Sequence, residues 1–315
     1  MIDSFQRNIN YLRLSVTDRC NLRCHYCMPA TGVVPKRRQE ILSYEELCKI
    51  AKAAIALGIE KIRVTGGEPL VRKGIVGFLR QLSDIPGLRQ LVLTTNGLLL
   101  EEMAEDLLAA GVQRVNVSLD SLKPETFYQI TRGGELARTL AGIAAAQRCG
   151  LQVKINAVVM RGINDMELND FAMLTLDQSL SVRFIEYMPT VKDDNWRRYL
   201  VPGREIVERI GEMYSLQIEP QARLSGPSRD YRIDGAVGTV GVITPVHEHF
   251  CHECNRIRVT ASGQLKTCLF ANHGLDLKPY LNTEDCSDLT DVLRRVVQGK
   301  PERHHLGDAH FVQES

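Results

Sequence analysis

Three thiols crowd into one short stretch near the start of the sequence: Cys20-Asn21-Leu22-Arg23-Cys24-His25-Tyr26-Cys27. The C-x3-C-x2-C spacing lets a single loop curl around a cubane iron–sulfur cluster. Three thiolates on a four-iron cube leave one iron open to a small ligand, whereas electron carriers close the set with a fourth cysteine. A structural zinc site would instead pair two close thiols with a second pair of Cys or His. His25 lies between two of the thiols and would compete with them for space. Three unligated thiols on one loop would be an oxidation liability. The spacing therefore favours an open [4Fe–4S] cluster on Cys20, Cys24 and Cys27.

A second group follows far along the chain: Cys251, Cys254 and Cys268, spaced C-x2-C-x13-C. Here spacing alone does not separate a cluster from zinc, because His247, His249 and His252 stand nearby. Cys286 is a distant candidate for a fourth ligand. Cys48 and Cys149 fall on expected helices and read as small hydrophobes.

Cations stand where strands should be apolar. Arg13, Lys61, Arg63, Lys154 and Arg183 lie inside expected strands, and Arg256 and Arg258 stand beside the second thiol group. Strands of a parallel sheet normally read as near-continuous hydrophobic runs. A charge within one must be paired or must face a wet cavity. Any one of these seven reads as an ion pair. The set reads more simply as a polyanion-binding interior, since the arginine fork donates two parallel hydrogen bonds to phosphate.

The elements that must position these residues follow a βα rhythm. Strand patterns at 12–16, 61–65, 90–94, 114–119, 152–158 and 181–187 alternate with helical patterns at 44–57, 73–82, 101–109, 136–148 and 166–178. That alternation predicts an α/β fold with a parallel sheet. About six units are too few for a closed eight-fold barrel, so the expectation is a partial, open βα barrel with its chemistry at the C-terminal ends of the strands. Beyond residue 187 the pattern changes. Residues 188–202 are polar, and 220–241 are rich in Gly, Pro, Ser and Arg, with Asp234-Gly235 as a turn. Short runs at 242–244 and 257–260, a Ser262-Gly263 hairpin into 264–268 and a helix at 288–298 complete the chain. The division expected is a barrel over 1–190, a connection over 191–240 and a smaller cluster-binding extension over 241–315.

Composition bounds the rest. The 315 residues carry 39 Lys plus Arg against 38 Asp plus Glu, which argues against a general nucleic-acid binder and makes any basic site local. No signal peptide and no membrane-spanning apolar run is evident, so a cytoplasmic, non-membrane protein is expected. Disulfides are rare in that compartment, and nine cysteines then point to metal or catalysis.

Cx3Cx2C after the first strand of a partial βα barrel resembles the radical S-adenosylmethionine (SAM) superfamily. Gly66-Gly67-Glu68-Pro69, placed after the second strand, resembles that superfamily's GGEP motif. The resemblance extends to the GTP 3′,8-cyclase family of molybdenum cofactor biosynthesis through residues 12–20 (LRLSVTDRC), 182–188 (VRFIEYM) and 250–270, and covers roughly 8–295. It implies SAM chelated by the open iron, and a second [4Fe–4S] cluster on Cys251, Cys254 and Cys268 that binds the purine of GTP. It implies SAM contacts at Tyr26, Gly67, Ser118 and Met188. It implies GTP contacts at Arg13, Lys61, Arg63, Thr94, Lys154, Arg183, Arg256, Ile257 and Arg258. Taken alone, Thr94 and Ser118 read as caps or turns, and Met188 as core.

The implied reaction removes the GTP 3′ hydrogen with a 5′-deoxyadenosyl radical and joins C3′ to guanine C8, giving 3′,8-cyclo-7,8-dihydro-GTP. The implied partners are cyclic pyranopterin monophosphate synthase downstream and a reductant such as flavodoxin or ferredoxin. The oligomeric state stays open, a homodimer included. Two rivals are a radical SAM peptide maturase, for which more C-terminal cysteines and no Arg256/Arg258 pair are expected, and a scaffold protein that has lost catalysis. Family members usually finish on Gly-Gly, whereas this sequence finishes on Gln313-Glu314-Ser315. If the native chain lacks the dipeptide, cyclisation should be impaired while SAM cleavage survives. Normal cyclase turnover by the 315-residue chain would refute that.

Overall fold

Alternation within each strand sets the architecture: apolar residues turn outward under helices, and polar ones turn inward. In the computed structural model, which describes residues 1–188, 195–221, 223–271, 273–282 and 287–304, six strands pair in chain order. They are β1 (Tyr11–Ser15), β2 (Lys61–Thr65), β3 (Gln90–Thr95), β4 (Arg114–Ser118), β5 (Gln152–Val159) and β6 (Leu180–Glu186), and all are parallel. Helices α1 (Tyr44–Ala56), α2 (Ile75–Ser83), α3 (Leu100–Ala109), α4 (Pro124–Thr131), α5 (Leu136–Arg148) and α6 (Leu168–Asp177) connect them. Leu12, Leu14, Ile62, Val64, Leu93, Val115, Val117, Ile155 and Val182 join one apolar core with the helix faces.

Local signals explain most boundaries. Ser43 and Glu46 form a reciprocal capping box that starts α1. Pro124 starts α4, a helix the periodicity did not reveal because it is short.

The Gly-, Pro-, Ser- and Arg-rich stretch over 220–241 holds strands on both sides of the Asp234-Gly235 turn. After α7 (Gly203–Gly211), the chain forms β7 (Leu216–Ile218), β8 (Arg229–Ile233) and β9 (Thr239–Ile243). Gly241 belongs to a strand because a Cβ there would sit 2.3 Å from Ser228 Oγ; it marks a close approach, not a loop. The chain continues through β10 (Arg256–Val259), β11 (Gln264–Lys266), β12 (Leu275–Asp276) and α8 (Ser287–Gln298). The sheet order is β12-β11-β10-β1-β2-β3-β4-β5-β6-β9-β8-β7. β9 extends the parallel array beside β6, and β10 extends it beside β1. The barrel is thus open, and its two outermost parallel strands are neighbours in sequence. The segment 244–255 between them must cross the open side, and it carries Cys251 and Cys254.

One carboxylate anchors that crossing. Glu186 is fully buried at the end of β6. Its Oε1 accepts from Gly203 N–H at 2.8 Å and meets His247 Nδ1 at 2.9 Å, while Oε2 accepts from Val246 N–H at 3.0 Å and His247 N–H at 3.2 Å. Replacing Glu186 with Ala would strand three backbone donors, that of Gly203 buried and those of Val246 and His247 part-buried. Glu186→Ala should lower unfolding stability by about 3 kcal/mol, with Glu186→Gln losing less. Urea unfolding followed by circular dichroism checks this; wild-type stability in Glu186→Ala would show that the anchor carries no load.

Candidate active site

The strand register brings the cations together. Arg258, Arg13 and Arg63 are direct neighbours across β10, β1 and β2, and Arg256, Tyr11 and Lys61 form the adjacent row. Neighbouring strands lie about 4.8 Å apart, so like charges here face each other at short range. Arg13, Arg63 and Arg258 are half-buried and line one cavity. Burial, followed by repulsion from Arg258 and Arg63, pulls Arg13 well below the normal guanidinium range. Arg258 falls to about 10, from burial first and Arg256 second. Arg114, which the sequence reading missed, falls to about 10 for the same kind of reason, burial and then Arg63. The ammonium groups of Lys61 and Lys154 drop furthest, to about 6 and about 7, again through burial and then neighbouring arginines. Of this set only Arg183 has a carboxylate ion pair among the described residues, with Asp230 at 2.8 Å. Lys61 gives its Nζ proton to Leu224 C=O at 2.6 Å and sits 4.6 Å from the Tyr11 ring centroid.

Around these cations lie buried polar atoms with no hydrogen-bond partner: Thr94 Oγ1, both amide atoms of Asn116, Asn156 Oδ1, and the Nε atoms of Arg13, Arg63 and Arg183. Buried polar groups are normally satisfied, so a set of orphans aimed into one space marks a ligand site. Asn116 and Asn156 are the members missed from sequence. Their signal was available, because each is a polar residue at an inward-alternating position of a strand, where Asn is depleted. Lys154 pairs in register with Asn116, and Arg183 with Asn156. The structure does not bring Ile257 to this space: its side chain is fully buried in the apolar core.

The first thiol loop follows β1 and is held by backbone bonds to the end of α4. Arg23 N–H donates to Thr131 C=O and His25 N–H to Ile130 C=O, while Arg132, itself at φ 55°, donates to the carbonyls of Arg23 and Met28. The Gly66–Pro69 turn grips the loop's leading end: Gly67 N–H donates to Thr17 C=O and Glu68 N–H to Arg19 C=O. A Cβ on Gly67 would lie 2.2 Å from Arg19 O, so only glycine fits.

Glu68, the charged residue of that turn, is not left free for a ligand: its carboxylate is buried and accepts from Leu70 N–H, Thr95 Oγ1 and Asn96 N–H. Burial raises it to about 7. Tyr26 donates to Asp120 at 2.8 Å, and Asp120 also accepts from Val158 N–H. Burial raises Asp120 to about 6. Ser118 ends β4, opposite Asn156, and Met188 follows β6 on the cavity wall.

Burial pushes all three thiols of this loop upward; negative charge adds to it, from Glu68 at Cys20, from Asp120 and the other two thiols at Cys24, and from Cys20 and Asp120 at Cys27. Three thiolates are therefore stable here only around a cationic core, which fits an iron–sulfur cluster. The loop sits at the C-terminal strand ends, as expected.

The second thiol group lies elsewhere. Cys254 precedes β10, whose first residue pairs with the first residue of β1, so this group sits at the N-terminal end of that strand pair. Cys251, Cys254 and Cys268 line one cavity with Arg13, Arg63, Arg256 and Arg258. Cys251 is raised by burial and by its two thiol neighbours. Burial would also raise Cys254, but Arg256 and Lys300 bring it down to about 7. The histidines that favoured zinc are otherwise engaged: His247 Nδ1 meets Glu186, His249 Nδ1 meets Pro245 C=O at 3.2 Å, and the His252 side chain is 75% exposed. Cys286 and the tail from residue 305 lie outside the described residues. Trp196 packs with Ile130, Met160 and Tyr187, and Tyr26 packs against that cluster.

Comparison with known proteins agrees with this geometry. Residues 14–175 match the Radical SAM superfamily, and residues 180–306 match the family described as Molybdenum Cofactor Synthesis C. The chain is 62% identical over 307 residues to a GTP 3′,8-cyclase of Geobacter sulfurreducens, covering 97% of this chain and 94% of that one. It is 48% identical to a GTP 3′,8-cyclase of Pelotomaculum thermopropionicum, covering 97% and 95%. The crystal structure of Streptococcus suis SuiB bound to S-adenosylmethionine shares the fold, with a TM-score of 0.60 at 16% identity, over 91% of this chain and 65% of that one. No described helix is long and apolar enough to cross a membrane.

The depressed lysines make ligand binding proton-linked. A polyanion in the cavity stabilises the charged ammonium, so Lys61 and Lys154, at about 6 and about 7 when free, must take up protons on binding. Affinity for a triphosphate should therefore fall as pH rises from about 7.5 to about 9, where the phosphates are already ionised. Calorimetry in buffers of different ionisation enthalpy should register net proton uptake; zero uptake would refute the linkage.

Proposed function

This chain belongs to the GTP 3′,8-cyclase family of radical SAM enzymes, and we propose on that footing how its two thiol groups and its cations divide the reaction. The reading is carried by one observation: three half-buried arginines stand side by side across β10, β1 and β2 in a cavity shared with Cys251, Cys254 and Cys268. GTP supplies the negative charge that this row calls for.

Cys20, Cys24 and Cys27 would hold the SAM-binding [4Fe–4S] cluster, and Cys251, Cys254 and Cys268 a second one. The first cluster with SAM, when bound and reduced, would supply the 5′-deoxyadenosyl radical for removal of the GTP 3′ hydrogen; closure of C3′ onto C8 then takes one electron from the external reductant and one proton to give the dihydro product. Tyr26, Gly67, Ser118 and Met188 border the SAM side. Arg13, Arg63, Arg256 and Arg258 hold the nucleotide beside the second thiol group, with Lys61, Lys154 and Arg183 extending the cationic surface. Thr94, Asn116 and Asn156 offer their unpartnered polar atoms between the two ends. Ile257 can take part only through its backbone. The protein's work is thus to position substrate and exclude water.

In this reading residues 1–190 make the radical, 241–315 present the substrate, and 191–240 join them. The protein is cytoplasmic, takes electrons from a flavodoxin or ferredoxin, and passes its product to cyclic pyranopterin monophosphate synthase.

Anaerobic incubation with GTP, SAM and dithionite, followed by chromatography, tests the whole. Cys24→Ala should abolish SAM cleavage. Cys268→Ala and Arg258→Ala should keep basal SAM cleavage yet lose cyclised nucleotide by at least about 100-fold, the loss of roughly 3 kcal/mol of positioning. Unimpaired cyclisation in both would refute the division.

A further inference from the structure

The last described segment, Lys300 to His304, runs directly along the second thiol group. Lys300 is 3% exposed. Its ammonium donates to Thr267 C=O at 2.5 Å, next to Cys268, and forms a hydrogen bond to the Cys254 side chain. His304 adds a backbone hydrogen bond to the Cys251 thiol. One short segment therefore lays a donor on two of the three thiols and faces the third.

Burying an ammonium without a carboxylate is costly. Among the described residues Lys300 forms no ion pair with a carboxylate; its attractive electrostatic partners are Cys254 and Cys268. Its position is fixed by Arg7, whose side chain is 5% exposed. Arg7 Nε bonds Asp3 at 2.6 Å, and its terminal nitrogens donate to the carbonyls of Cys251, Pro301 and Glu302 at 2.7–2.8 Å and of Lys300 at 3.5 Å. The same guanidinium thus clamps both the thiol loop and the segment that delivers Lys300.

We propose that Lys300 is a positioning residue that sets the charge balance of the second thiol group, and hence the reduction potential of the cluster it holds. The proposal rests on the two-cluster reading above. A fixed cation close to cluster sulfurs favours the more negative, reduced state, because potential follows net charge and hydrogen bonding at the sulfurs. Arg256, which reaches Cys254 Sγ at 3.8 Å, contributes as well but is also placed to hold substrate. Lys300 is the partner whose role is confined to the thiol group.

The test is an anaerobic redox titration of the reconstituted full chain, followed by electron paramagnetic resonance. In Lys300→Met the second cluster should titrate at lower potential, while the first cluster is unmoved and serves as the internal reference. Lys300→Arg should restore the wild-type value. If the Met variant fails to retain the second cluster, Lys300→Gln decides: a potential lowered in the same direction supports the proposal. Wild-type potential in Lys300→Met or Lys300→Gln, with both clusters present, overturns it and leaves the two-cluster reading intact. A wild-type chain that binds only one cluster overturns both.

Discussion

Like charges held together without counter-charge constrain this molecule more than any other interaction. Arg258, Arg13 and Arg63 meet across three adjacent strands, and Arg256 and Lys61 flank Tyr11 in the next row. A folded chain would not choose this arrangement for stability, since each cation forgoes hydration and repels its neighbours. The rest of the fold has to offset it. The apolar outward positions Leu12, Leu14, Ile62, Val64, Ile257 and Val259 on those same strands do so by burial under the helices. Alternation within the strand is what lets one element serve both ends: every second residue stabilises, and the others are free to bind.

That constraint also explains why the barrel is left open. A closed barrel of this width would be filled by side chains. Here β9 and β10 stay apart, and the crossing between them is a thiol-bearing segment instead of sheet. The crossing needs its own fixing, and two buried groups supply it from its two ends. Glu186 holds residues 246 and 247 to the end of β6, and Arg7 holds the Cys251 carbonyl to the N-terminal segment. Neither group faces the reaction, yet the position of Cys251 and Cys254 depends on both.

The sequence made much of this legible, for physical reasons that differ from residue to residue. Cys20, Cys24 and Cys27 were readable because a short loop allows few geometries. Arg13, Lys61 and Arg63 were readable because a charge inside a strand violates the apolar pattern. β8 was not, because its half-exposed Arg229–Ile233 lacks a buried period, and β9 was legible only at its end, from residue 242, because Gly241 serves packing. Asn116 and Asn156 escaped because amides look like turn residues until the register places them opposite Lys154 and Arg183. The engagement of Glu68 with Thr95 and Asn96 was not legible, because a motif fixes which residue is present, not which of its atoms remain free.

The placement of the two thiol groups carries the last step. One follows the C-terminal end of β1; the other precedes β10, which pairs with β1 from its first residue. The two are therefore separated by the length of a strand, and the strand between them is the one that carries Arg13. Five residues of β1 span roughly 17 Å. In the proposed reading, a nucleotide held by that row of arginines would have one end against the second thiol group and its sugar directed toward the first. Had both groups sat at the C-terminal edge, the expectation for a βα barrel, no cationic row could have lain between them. The departure from that rule is what leaves a cationic row between the two thiol groups.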